Sequence, residues 1–241
     1  MNRSLLLSLA FSLPASGFEI ADDCLQVIVG TSESWQSSHL TLSIYERAPG
    51  QSWRQAAGPW KGRCGKKGLA WGRGLHPASS AAPVKKEGDW RSPAGVFTLG
   101  GVWGYEKSIK KRPGTNYHQI TTRDLWVEDP TSAHYNRHLT LNHEPRELWE
   151  KRAQMRQNDY PHSLKLFIAH NTEPKPLPGA GSSIFFHIWR SGGTRPTAGC
   201  TTMKEIHLRS VIAGLEPSKN PVYVLLPLQD YRKLKSVWLL P

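Results

Sequence analysis

The sequence predicts a mainly β protein with a few helices, and three observations carry that reading. Apolar residues recur at every second position in Leu40, Leu42, Ile44, in Leu164, Leu166, Ile168 and in Ile184, Phe186, Ile188, the period of strands with one buried face. Only two stretches carry a helical pattern. The 241 residues include 21 Gly, 18 Pro and 10 Trp, a composition suited to extended, loop-rich structure rather than to a helical bundle.

Each element can be justified in order. Residues 1–17 read as a secretory signal: Arg3 is followed by a short apolar core, then Pro14, then the small residues Ala15, Ser16 and Gly17. Residues 18–241 then form one catalytic-sized domain. Residues 25–29 and 40–45 are strands. Residues 57–93, rich in Gly, Lys and Arg, read as a loop. Residues 95–99 form a strand that leaves the Ser92-Pro93-Ala94 turn. Residues 107–116 are a basic loop. Residues 144–157 predict a helix with Pro145 in its first turn and a thin apolar stripe of Leu148, Trp149 and Met155. Residues 164–168 are a strand, residues 171–182 a Pro/Gly loop, and residues 183–189 the most apolar strand. A second helix runs over residues 203–215. Thr202 followed by Glu205 gives it a capping box, and Leu208, Val211, Ile212 and Leu215 give it one buried face. Residues 222–226 close the chain's order as a buried strand.

Hydrophobic residues at 38% and charged residues at 21% exclude a disordered tail and a membrane bundle. No stretch approaches the roughly 20 apolar residues of a spanning helix, so stable membrane insertion is not expected. Thirty-one Lys and Arg against nineteen Asp and Glu give a formal charge of +12, which favours anionic partners. The three cysteines lack a CxxC pair. In an oxidising compartment Cys24 and Cys64 either pair or stay as two free thiols.

Chemistry concentrates in residues 184–203. There a strand carrying His187 leads through a glycine-rich loop to Thr197-Ala198-Gly199-Cys200 and on to the second helix. A thiol at a helix start would sit in the positive end of the macrodipole, which favours the nucleophilic thiolate. Gly199 admits a substrate close to the backbone, and the N–H groups of Gly199 and Cys200 are candidates for an oxyanion hole. His187 shares its strand face with Phe185 and Trp189, opposite Ile184, Phe186 and Ile188. It is the candidate base of a cysteine–histidine pair, with a backbone carbonyl as a candidate to orient it.

This segment resembles the signature of the L,D-transpeptidase catalytic (YkuD-like) family, a His on a strand followed by Ser/Thr-x-Gly-Cys. The stretch from Gly88 to Phe97, with Pro93-Ala94-Gly95-Val96-Phe97, is similar to that family's earlier Pro-x-Gly-x-Phe segment. Trp71-Gly72-Arg73-Gly74-Leu75 and Asp129-Pro130 with Tyr135-Asn136 resemble a secreted bacterial branch of it. Ala198 stands where the family often has His, and Thr201-Thr202 where a basic residue or Asn is frequent. The resemblance implies a β-sandwich or partly closed barrel, while the signal read in residues 1–17 implies export to the periplasm, where a monomer is expected. The resemblance also implies acyl transfer on peptidoglycan stem peptides through a Cys200 thioester, with no metal or organic cofactor.

Arg190 and Arg195 flank the loop between base and nucleophile and suit the carboxylates of an acidic peptide. Thr197, Thr201, His170, Asn171 and Tyr135 complete the candidate substrate contacts. His76 and His118 receive no role. Five other readings compete. L,D-carboxypeptidase or other amide hydrolysis uses the same site. A non-catalytic wall- or glycan-binding module would use the basic charge and the Trp residues but gives no reason for Cys200 after Gly199. A papain-like peptidase is disfavoured because His187 precedes Cys200. Nucleic-acid binding has charge alone behind it, and a zinc site on Cys200 is short of ligands.

Overall fold

The computed structural model describes residues 17–77 and 83–241. The predicted signal lies almost entirely outside the described residues. Twelve strands and three helices follow in chain order. They are β1 (Gln26–Ser32), β2 (His39–Glu46), β3 (Arg54–Arg63), β4 (Leu69–Trp71), β5 (Ser92–Gly104), β6 (Tyr117–Gln119), β7 (Asp124–Trp126), β8 (His138–Thr140), α1 (Leu148–Arg152), β9 (Leu164–Ile168), β10 (Phe185–Ile188), β11 (Thr201–Met203), α2 (Glu205–Gly214), β12 (Val222–Pro227) and α3 (Leu228–Leu234). The mainly β expectation holds.

Hydrogen-bonded neighbours run from β12 through β1, β2, β3, β11, β10, β9 and β5. β5 then pairs back onto β12, from Val222 opposite Thr98 to Leu225 opposite Gly95. Eight strands therefore close into a barrel, which removes the exposed edges an open sandwich would leave. β4 and β6 are short additions along β5, and β7 with β8 forms a separate two-stranded ribbon.

The apolar pattern explains the layers. Ile28, Leu42, Leu166, Ile168, Phe186 and Leu225 fill the barrel core together with Leu208, Val211 and Ile212 of α2. The other faces of β1 and β12, bearing Val27, Val29, Val224 and Leu226, are covered by Tyr231 of α3 and by Trp238 and Leu240. Buried on both faces and parallel to each other, these two strands read as continuous apolar runs. A third cluster joins Phe167 and Phe185 on the outer face of β9 and β10 to Ile120, Trp126 and Met155, and Cys200 packs against it.

Three expectations are corrected, and the open choice for Cys24 and Cys64 falls to free thiols. The predicted loop 57–93 contains most of β3 and all of β4. β3 has no alternation to read, because most of its side chains are exposed or half-buried and it is held by pairing with β2 and β11. The predicted helix 144–157 shrinks to α1. The Glu150 carboxylate takes the N–H groups of Arg146 and Glu147 at its start. Beyond Arg152 the backbone turns extended, with Trp126 N–H bonding Ala153 and Met155 N–H bonding Asp124. Tertiary pairing there overrides helix propensity. The second helix starts at Glu205, because residues 201–203 are taken by β11, and its first-turn cap is Lys204 rather than Thr202. Cys24 and Cys64 are free and buried. They lie in different apolar clusters, and their thiols donate to the carbonyls of Gln26 and Ser37.

Candidate active site

β10 and β11 are parallel neighbours, with Phe186 opposite Thr201 and His187 opposite Thr202. Cys200 directly precedes β11. Successive side chains alternate across a strand, so Phe185, His187, Cys200 and Thr202 share the outer barrel face, while Phe186, Ile188 and Met203 point into the core. The face expected for His187 is the face it occupies. Strand pairing brings His187 and Cys200 to one face, and the loop between them need supply only the turn.

They line one cleft of about 480 Å³. Arg190, Arg195, Thr197, Gly199 and Thr202 also line it, with Lys165 and His162 from the β9 side and Glu87 and Glu128 across from them. Of the predicted contacts, then, Arg190, Arg195 and Thr197 come to the cleft. His170, Asn171, Tyr135 and Thr201 do not line it. Thr201 is buried and shares a hydrogen bond of 3.1 Å with Tyr223 in the barrel core. His170 bridges two chain segments, accepting Arg73 N–H and bonding Ala180 O. Asn171 pins the Pro/Gly loop through Leu177 and Gly181. Tyr135 donates to Glu87, so it holds a cleft residue from behind. These four are structural because each is buried and fully engaged.

The turn carrying the thiol is built by two hydroxyls. Thr197 Oγ1 donates to Cys200 O at 2.6 Å and accepts Gly199 N–H. Ser92 Oγ donates to Gly199 O at 2.5 Å and accepts Gly65 N–H at 2.9 Å. Thr197 is therefore a positioning residue, and the Gly199 N–H is occupied rather than open to an oxyanion. A Cβ on Gly199 would lie 3.1 Å from Arg91 O and 3.2 Å from Ile184 Cδ1, so a side chain there would push the turn outward.

Electrostatics also differ from the helix-start expectation. With β11 between Cys200 and α2, no macrodipole falls on the thiol. Burial pushes the Cys200 thiol up to about 11, against a backbone hydrogen bond from Phe185 and the nearby Lys165 charge. Burial likewise pushes His187 down to about 3, with His162 adding to it. At neutral pH the pair is thiol and neutral imidazole. His187 Nδ1 lies 2.8 Å from Ile188 O. A carbonyl only accepts, so Nδ1 carries the proton and Nε2 is the basic nitrogen. A backbone carbonyl is thus the orienting partner.

Sequence reasoning missed several groups. His162 packs against His187, the rings tilted and their centroids 4.6 Å apart, and bonds Asp159 at 2.8 Å, while Arg190 bonds the same carboxylate at 2.6 Å. Lys165, opposite His187 in the β9–β10 register, donates to Met155 O and is pushed down to about 8 by burial. Its signal was present: in β9 the core positions are 164, 166 and 168, which puts Lys165 on the other face. Thr202 Oγ1 is buried at the cleft without a hydrogen-bond partner. Ser92 carried no signal at all.

No curated protein matches the chain. Among solved structures, the chain is similar to Bd1075 of Bdellovibrio bacteriovorus, with 15% identity, a TM-score of 0.39, and coverage of 93% of this chain and 59% of that one. The chain thus spans about 59% of the length of that protein. The model of the L,D-transpeptidase catalytic domain, YkuD, matches residues 65–224, from the turn before β4 to the middle of β12 and across the whole cleft. The chain belongs to the L,D-transpeptidase catalytic domain family.

Proposed function

We propose that the protein is a peptidoglycan L,D-transpeptidase acting through a Cys200 acyl-enzyme. The family acts on peptidoglycan peptides. The observation that carries the reading is the shared face of His187 and Cys200 on paired strands at the cleft. The tautomer of His187 that leaves Nε2 free for a proton follows from its bond to Ile188 O. Cys200 Sγ attacks the carbonyl carbon of the L-centre of a diaminopimelate-type residue as Nε2 takes the thiol proton. The carbon–nitrogen bond breaks, the proton passes to the leaving D-amino acid, and a thioester remains. An acceptor amine then attacks the thioester and returns its proton through His187, and Cys200 leaves as a thiol. With Gly199 N–H occupied, the Cys200 N–H is the donor for the oxyanion. Arg190, Arg195 and Lys165 give the cleft a cationic wall for the carboxylates of a stem peptide.

The same acyl-enzyme met by water would release a tripeptide, which is the L,D-carboxypeptidase reading. Residues 1–17 would direct the chain to the periplasm, where its substrate lies, and it would act as a monomer.

The test is mass spectrometry of the protein incubated with a disaccharide tetrapeptide, wild type beside Cys200→Ala. A cross-linked dimer or D-amino acid exchange, absent from Cys200→Ala, is the expected result. Tripeptide alone would replace transpeptidation by hydrolysis. Product from Cys200→Ala, or none from folded wild type, would sink the acyl-enzyme reading.

A further inference from the structure

We propose that His118, Asp124 and His138 form a binding site for one divalent transition-metal ion of the zinc class, separate from the cleft. The three residues come from β6, β7 and β8, and none of them lines the cleft. His118 Nε2 and His138 Nε2 lie 2.7 and 2.9 Å from Asp124 Oδ1, and the three donor atoms all lie within 4.8 Å of one another. Two imidazole nitrogens and a carboxylate oxygen are a donor set that zinc accepts with water in a fourth position. The same nitrogen-rich set suits nickel and copper and is poor for magnesium or calcium.

The carboxylate is held as a ligand needs to be. Asp124 is wholly buried. Its Oδ2 accepts Thr121 N–H at 2.7 Å and Thr121 Oγ1 at 2.6 Å, which fixes the plane of the group and aims Oδ1 at the histidines. Thr140 Oγ1 also lies 3.0 Å from Oδ1. Three donors then converge on one oxygen that has two lone pairs. An ion between the two imidazoles and Oδ1 removes that crowding, because each Nε2 turns its lone pair to the metal. Zinc–nitrogen bonds of about 2.0–2.1 Å place tetrahedral ligands about 3.3 Å apart. The site must therefore open by about half an ångström. His118 can supply that movement, since 43% of its side chain is exposed. The same exposure gives the ion an entry path and a place for its water.

The topology says what such an ion would do. The β7–β8 ribbon packs on the barrel through Trp126 but shares no strand pairing with it, whereas β6 is paired to β5 of the barrel. An ion held by His118 on one side and by Asp124 and His138 on the other would staple the ribbon to the barrel. The chain between β7 and β8 carries Glu128, which lines the cleft, and Tyr135, which holds Glu87. Metal loading would thus steady one wall of the cleft without touching Cys200.

The experiment is calorimetric titration of zinc chloride into metal-stripped full-length protein carrying Cys200→Ala, so that the thiol cannot bind the ion. The result expected is one zinc ion per chain, at least tenfold weaker in Cys200→Ala with His118→Ala, and a rise in unfolding temperature with zinc that the double variant lacks. His118 is half-buried, and an unchanged circular-dichroism spectrum will show that the double variant is folded. Cobalt in place of zinc should give the visible bands of a four-coordinate ion. Absence of saturable one-to-one binding, or binding and thermal shift that His118→Ala leaves unchanged, would overturn the site and leave Asp124 as a buried hydrogen-bond acceptor.

Discussion

Cys200 illustrates how burial and the proposed function pull against each other at one residue. A thiol held near 11 by its surroundings is almost entirely protonated at pH 7, so on the proposed mechanism its proton must leave as the substrate arrives rather than before. The reaction of free enzyme with iodoacetamide should therefore be slower at pH 7 than that of an ordinary exposed thiol, and its rate should still climb above pH 9. A plateau reached below pH 8 would show a resting thiolate–imidazolium pair instead. Ser92 offers a second test. Its hydroxyl ties Gly65, Gly199 and Cys200 together, so Ser92→Ala strands buried polar groups at a cost of about 1–3 kcal/mol. Turnover should drop by about tenfold or more through misplacement of the thiol, with KM little changed; an unaltered kcat would show that Thr197 alone sets the turn. The placing of Cys200 and His187 at one cleft, and the face of His187, were legible from residue types and period. Thr201 was chosen where Thr202 faces the cleft, because residues 201–203 were read as helix entry. A strand there makes neighbouring residues face opposite ways, and only pairing with β10 and β3 shows that a strand is present.

Elements with an amphipathic period were readable, and elements held by pairing alone were not. β2 and α2 announce themselves because one face is buried and the other is more open, and β9 and β10, buried throughout, because their core positions recur at every second residue. β3 is set by its neighbours, and the chain after α1 is drawn out by β7, so neither could be read from local pattern. β5 contains a sharper local demand. Gly95 has φ +135°, and a Cβ there would lie 1.9 Å from His76 Cε1. Gly95→Ala combines a backbone conformation that L residues rarely adopt with a collision in the core. The cost should be at least about 2 kcal/mol, seen as a lowered urea midpoint or loss of soluble protein. A near-normal midpoint would mean that the His76 ring can move aside. His76 itself accepts Val96 N–H at 3.0 Å, so the missing side chain at 95 is the space its ring occupies.

At the scale of the whole molecule, the unusual quantity is the number of imidazoles kept neutral. Burial is the first cause for each of His76 and His162, both pushed down to about 4, and for His170 and His187, both pushed down to about 3. Below the unfolded value of 6.5 the unfolded chain takes up protons that the folded one refuses. Stability from these groups is present above pH 6.5 and is lost as pH falls toward 3–4. Each contributes about 1.4 kcal/mol per pH unit when fully titrating, so the sum over several units rivals the whole stability of a domain. The urea midpoint should fall steeply between pH 7 and pH 5; a flat profile would show that the folded protein accepts those protons. The fold class was legible, but closure of the barrel was not, since the contact between residues 95–98 and 222–225 has no local signature. That contact also bears on how the chain is made. β12 is inserted between β1 and β5, so one edge of each of these strands stays unpaired until ribosomal synthesis reaches residue 227. Until then the nascent polypeptide carries two unsatisfied edges and an open core, a slow, non-local assembly that postpones sealing of the molecule until nearly all of it has been made.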